Sequence, residues 1–116
     1  MIRRKNEQGI REIEKLRDGN GMVQFRDMFT APEFGDRVTV CAVTTLQPGC
    51  SIGVHPHTEN GELYCVLEGQ AVVTEDGKEY VLEVGDAEFC ADGHTHGIEN
   101  RTEKPLVFLA LIVPNK

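Results

Sequence analysis

Basic residues are in short supply. Twelve Lys and Arg stand against 19 Asp and Glu, for a formal net charge of −7. A nucleic-acid binder needs a cationic footprint, so no nucleic-acid partner is expected. Long hydrophobic runs are also missing. The opening MIRRKNEQGIREIEKL holds no apolar stretch of signal-peptide length, and no later segment approaches a membrane span. A cytoplasmic protein without a membrane partner is therefore the expectation. No pair among Cys41, Cys50, Cys65 and Cys90 has the C-x-x-C spacing of a zinc or redox site. Each cysteine lies in an apolar or strand-like setting such as VTVCAVTTL or AEFCAD, which points to reduced thiols acting as small hydrophobes. Linkers, low-complexity tracts, fixed-period repeats and an appended helix-turn-helix are absent too.

What is present fits one domain: 116 residues, 40% apolar and 27% charged. In IREIEKLR, Ile10, Ile13 and Leu16 recur at helical intervals, and Gly19-Asn20-Gly21 would end the helix they predict. From Met22 the pattern changes to short β-rich runs: MVQFRDMF, RVTVCAVTTL, SIGVHPH, ELYCVLEG, QAVVTED, KEYVLEV, AEFCA and PLVFLALIV. Gly-rich turns separate them. Many short strands at close spacing predict an all-β antiparallel sandwich or barrel. Residues 1–21 form an N-terminal segment packing on a single β domain at 22–116.

Half of the four histidines fall in GCSIGVHPHTENGELYCVLEG. Residues i and i+2 of a strand share a face, so His55 and His57 project side by side. Pro56 cannot donate to a ladder and places this strand at an edge or bend. Asn60-Gly61 signals a hairpin, and Glu62 on the returning strand can face the two imidazoles across it. Two imidazoles and a carboxylate form a partial metal site. Taken alone, H-x-H is more often the mark of exposed polar residues at a turn. Glu59, the rival carboxylate, falls within the turn and faces solvent.

The other two histidines, His94 and His96, lie in GDAEFCADGHTHGIEN. With both clusters in view the chain resembles the cupin superfamily, as a small single-domain cupin. The first cupin motif, G-x5-H-x-H-x4-E-x6-G, is met by Gly49, His55, His57, Glu62 and Gly69. The second, G-x5-P-x-G-x2-H-x3-N, is met by Gly85, Gly93, His96 and Asn100, with Ala91 where the family has proline. Only fifteen residues separate the motifs. The resemblance implies a double-stranded β-helix, or jelly-roll, barrel in which His55, His57, Glu62 and His96 ligate one divalent transition metal. Such a donor set suits Mn, Fe, Ni, Co or Zn without choosing among them. A divalent ion in it leaves about one net positive charge, which favours a small anionic oxygen ligand such as a carboxylate, enolate or diol.

The motifs are similar to those of the oxalate-decarboxylase-like barrel unit. The family implies a metal-dependent enzyme carrying out decarboxylation, isomerisation or dioxygenation, with non-catalytic binding or sensing of a small ligand as the alternative. In ELYCVL, Glu62, Tyr64 and Val66 share one face while Leu63, Cys65 and Leu67 share the other. Both faces of that strand therefore need cover. The family's habit of pairing through its sheets makes a homodimer the expectation.

Four further readings complete the site. His94 is an exposed turn residue or a rim group able to relay protons. Tyr64 projects towards the pocket or is a core aromatic. Phe89, Phe108 and Met28 belong to wall or core. Arg26 is the basic residue on the first long strand that would reach a bound carboxylate, unless its strand face is solvated.

Overall fold

The computed structural model describes residues 1–116, and strands dominate it. In chain order they are β1 (Gly9–Glu14), β2 (Met22–Asp27), β3 (Val40–Leu46), β4 (Ser51–Pro56), β5 (Asn60–Glu68), β6 (Ala71–Glu75), β7 (Lys78–Leu82), β8 (Ala87–Cys90), β9 (Thr95–Glu99) and β10 (Leu106–Pro114). Each of the eight β-rich runs becomes a strand. Two antiparallel sheets result, one ordered β1-β2-β3-β10-β5-β8 and the other β4-β9-β6-β7. The all-β expectation holds, and the arrangement fits a jelly roll.

The core lies between the sheets. Tyr64 and Val66 of β5, Phe108 of β10 and Leu46 of β3 meet Ile52, Val73 and Ile98 from the smaller sheet. The alternation read in ELYCVL is real. Glu62, Tyr64 and Val66 are buried inside, while Leu63 and Cys65 are half-buried on the outer face and Leu67 is exposed. Phe108 is fully buried as expected, but Phe89 is 52% exposed on the outer face. It falls in the outward phase of β8, between the inward Glu88 and Cys90.

The N-terminal helix is not formed. Residues Gly9–Glu14 are β1, paired antiparallel with β2 from Gly9↔Asp27 to Glu14↔Met22. Helical structure in this region is limited to 3-10 turns at Lys5–Glu7 and Leu16–Asp18. The stretch is too short for a self-supporting helix, and the open edge of β2 satisfies its backbone groups instead. Strand geometry turns Arg11 and Ile13 towards the interior and leaves Ile10 outside, 54% exposed.

The TENG turn is also not a hairpin. β4 and β5 belong to different sheets and do not pair. The turn carries the chain from one sheet to the other, so Glu62 faces the histidines across the interior. β4 is an edge strand, as Pro56 requires.

Candidate metal centre

β4 and β9 run side by side with His55 opposite His96 in the ladder. His57 lies one residue beyond β4, yet its backbone is fixed. Its N–H donates to the His94 carbonyl at 3.0 Å, and its carbonyl accepts from the Gly93 N–H at 2.9 Å. Gly93 makes the turn that allows this at φ +86°, a conformation cheap only for glycine. Ala91, in the family's proline position, accepts the His94 N–H at 3.1 Å. After His96, the buried Asn100 anchors the end of β9. Its Nδ2 donates to the Leu46 carbonyl at 2.9 Å and to the Lys104 carbonyl at 2.7 Å.

These supports bring His55, His57, Glu62 and His96 together, all four buried. Glu62 Oε1 lies 3.7 Å from His55 Nε2, 3.1 Å from His57 Nε2 and 3.0 Å from His96 Nε2. His57 Nε2 and His96 Nε2 are themselves 3.0 Å apart. The opposite ring nitrogens point outward onto oxygen acceptors. His55 Nδ1 donates to the Gly53 carbonyl at 2.7 Å, His57 Nδ1 to Asn60 Oδ1 at 2.8 Å, and His96 Nδ1 to Glu88 Oε1 at 2.8 Å. With hydrogen at Nδ1, each neutral imidazole presents its Nε2 lone pair to the centre. Three lone pairs and a carboxylate oxygen then crowd one point and repel unless a cation joins them. The residues fit a transition-metal ion, whose histidine ligands are held by outer acceptors in this way.

Without an ion, one proton serves in its place. Burial opposes charge on His96, but hydrogen bonds to Glu62 and Glu88 overcome it and push its pKa up to about 9. Burial likewise opposes charge on Glu62, and the surrounding His55, His57 and His96 hold it well below the usual carboxylate range. Tyr64 stacks on the His96 ring with centroids 4.4 Å apart and planes at 6°. Burial, then the charges of Glu62 and Glu88, raise its hydroxyl far above the ordinary value. Tyr64 is thus both core aromatic and wall of the site, locking the His96 ring in place.

A cavity of about 190 Å³ opens beside the cluster, bordered by His55, His57, Glu62 and Tyr64. Its basic groups are Arg11 and Arg17, both from the N-terminal segment. Arg26, the sequence-based candidate, points to the outer face and donates to Gln8 Oε1. Arg11 had no signal while its segment read as a helix; as a strand residue opposite Phe25 it faces inward. Glu88 was the other omission. Its signal is an acidic residue in the inward phase of AEFC. His94 stays outside the cluster, 54% exposed and bonded through Nδ1 to Asp76 at 2.6 Å.

Comparison with known proteins agrees with this geometry. The family model described as "Cupin domain" matches residues 42–112. An oxalate-binding protein of Thermotoga maritima is 32% identical over 113 residues, covering 97% of this chain and 93% of that protein. A crystal structure described as a predicted oxalate decarboxylase from Thermotoga maritima superposes with a TM-score of 0.94 at 32% identity, covering 98% of this chain and 99% of the other. KdgF from a Halomonas species shares the fold, with a TM-score of 0.80 at 17% identity over 100% of this chain and 94% of its own.

Proposed function

The chain belongs to the cupin domain family, and from that premise we propose that it is a metal-dependent enzyme acting on a small anionic oxygenated molecule. His55, His57, Glu62 and His96 hold one divalent ion of Mn, Fe, Ni, Co or Zn type. The observation that carries this is the orientation of the three imidazoles, each tied outward through Nδ1 so that Nε2 and Glu62 Oε1 converge. When bound, the ion supplies Lewis acidity and a template for substrate oxygens. The protein's own groups do the rest. Glu88 and Tyr64 fix His96, Gly53 and Asn60 fix the other two rings, and all four donors are buried. Decarboxylation, isomerisation and dioxygenation are the reaction types within reach.

One observation favours a second reading, non-catalytic binding of the same class of ligand. Apart from the four donors, the only ionisable side chains bordering the cavity are Tyr64, Arg11 and Arg17. Burial pushes the Tyr64 hydroxyl far above its ordinary value and Asp27 raises the Arg11 guanidinium, so neither exchanges protons near neutral pH. Metal analysis of the purified chain, followed by turnover and binding assays on small carboxylates and diols, tests both readings. Binding without turnover favours the second. A chain that stays metal-free after incubation with Mn²⁺, Fe²⁺, Ni²⁺ and Zn²⁺ overturns the first.

We also propose a homodimer formed through the outer face of the larger sheet. Uncharged side chains run unbroken over its β3-β10-β5-β8 part, from Val43 to Leu109 to Cys65 in one row and from Cys41 to Leu111 to Leu63 to Phe89 in the next. Residues 1–21 pack as an N-terminal segment on the domain formed by 22–116. The four free cysteines suit a reducing, cytoplasmic setting.

A further inference from the structure

We infer that the cavity beside the histidine cluster takes an organic acid carrying an apolar body of about benzene size, in preference to a bare dianion such as oxalate. The inference rests on the metal reading only for how the ligand's head is held. The cavity measures about 190 Å³, and seven of its 12 lining residues are hydrophobic. An engineered protein cavity of about 150 Å³ lined by Leu, Ile and Phe stays dry and binds benzene. The space here therefore matches a ring plus a small head group.

Polar and apolar groups both line the cavity. His55, His57 and Glu62 of the donor cluster border it together with an apolar wall of Ile13, Leu16, Phe25, Val40, Ile52 and Ile112. The two regions join without a gap, because Ile112 stands opposite both Glu62 on β5 and Val40 on β3. A carboxylate, then two branched aliphatic side chains, thus follow one another across three strands. Oxalate has no C–H group to place against that wall. The uncoordinated oxygen of its second carboxylate would face that wall and lose water without a compensating partner, which is costly. A ring extending from a chelating head instead buries its own apolar surface.

Arg11 caps part of the apolar wall. Asp27 engages its Nε and Nη2 at 2.6 and 2.9 Å. The guanidinium is held 4.6 Å above the Phe25 ring centroid. Asp27 matches its charge, so the pair adds no net charge beside the apolar lining.

The test uses two acids with the same 2-oxo-acid head, pyruvate and phenylpyruvate, titrated calorimetrically into the full chain loaded with Mn²⁺ and into the chain stripped by a chelator. Phenylpyruvate should bind the loaded chain at least about tenfold more tightly than pyruvate, and oxalate should not exceed it. Filling the wall by Val40→Phe should cut the preference of phenylpyruvate over pyruvate below about threefold. Should that variant not fold, Ile13→Phe at the cavity edge serves the same purpose. Equal affinities for the two acids, tighter oxalate binding, or a preference that survives a folded filling variant would overturn the inference. If Mn²⁺ alters neither affinity, the metal reading fails, and the ratio of the two acids in the stripped chain still decides the apolar pocket. No phenylpyruvate binding in either state also overturns it.

Discussion

His96 is gripped on three sides: by Glu62 at Nε2, by Glu88 at Nδ1 and by the Tyr64 ring on its face. The His94 side chain, two residues away, bonds to exposed Asp76. His96→Ala should therefore abolish most metal occupancy while His94→Ala leaves it at the parent level, read by elemental analysis after dialysis. Equal losses would mean that the donor set is wrong. Glu88→Gln keeps an acceptor for the Nδ1 hydrogen but removes a charge, and should weaken metal binding by about tenfold in chelator competition. The pH response follows from the same residue. With a pKa of about 9 against an ordinary 6.5, protonated His96 stabilises the metal-free fold below about pH 6.5. That contribution disappears as pH rises through about 9. A metal must displace this proton, so its affinity rises across the same window. Thermal melts at pH 6.5 and pH 9 should show the stripped chain losing stability while the increment conferred by metal grows. The four residues of the buried cluster were legible in the sequence because the motif spacings are carried by local turns. Glu88 and Arg11 were not, since their role depends on which way a neighbouring strand faces.

β1 and the turn after it show how far local pattern reaches. Ile10, Ile13 and Leu16 satisfy a helical period, yet an edge strand forms because β2 offers hydrogen bonds that an isolated short helix cannot match. The TENG turn misled in the same manner, since Asn60-Gly61 marks a reversal without stating which sheet receives the returning strand. The turn Leu16–Asp18 then lies hard against β4. A Cβ on Gly53 would collide with the Arg17 carbonyl, and one on Gly19 with the Ser51 carbonyl. Gly53→Ala should destabilise the fold by about 1–3 kcal/mol through forced backbone movement, measured by urea unfolding. It should also weaken metal binding, because the Gly53 carbonyl orients His55. A variant with unchanged stability would show that the turn moves aside freely.

For the molecule as a whole, the uncharged part of the outer face makes the strongest demand. Leu109 sits between Val43 and Cys65 at its centre, so Leu109→Lys should convert the proposed dimer to a monomer in light scattering while the metal content stays the same. A monomeric parent chain at micromolar concentration would remove the dimer reading. The same sheet has a consequence for how the chain reaches its native state. β10 lies between β3 and β5, which do not touch each other. Until β10 docks, the β1-β2-β3 meander and the β5-β8 pair are two separate ribbons. Each then shows an unsatisfied backbone edge beside apolar side chains, VCAVTTL on one and LYCVL on the other. Joining them requires contacts between residues far apart in sequence, which slows folding. Open edges of this kind recruit other chains when concentration is high. Refolding yield should consequently fall steeply with protein concentration, and the insertion of one central strand should set the pace of the whole reaction.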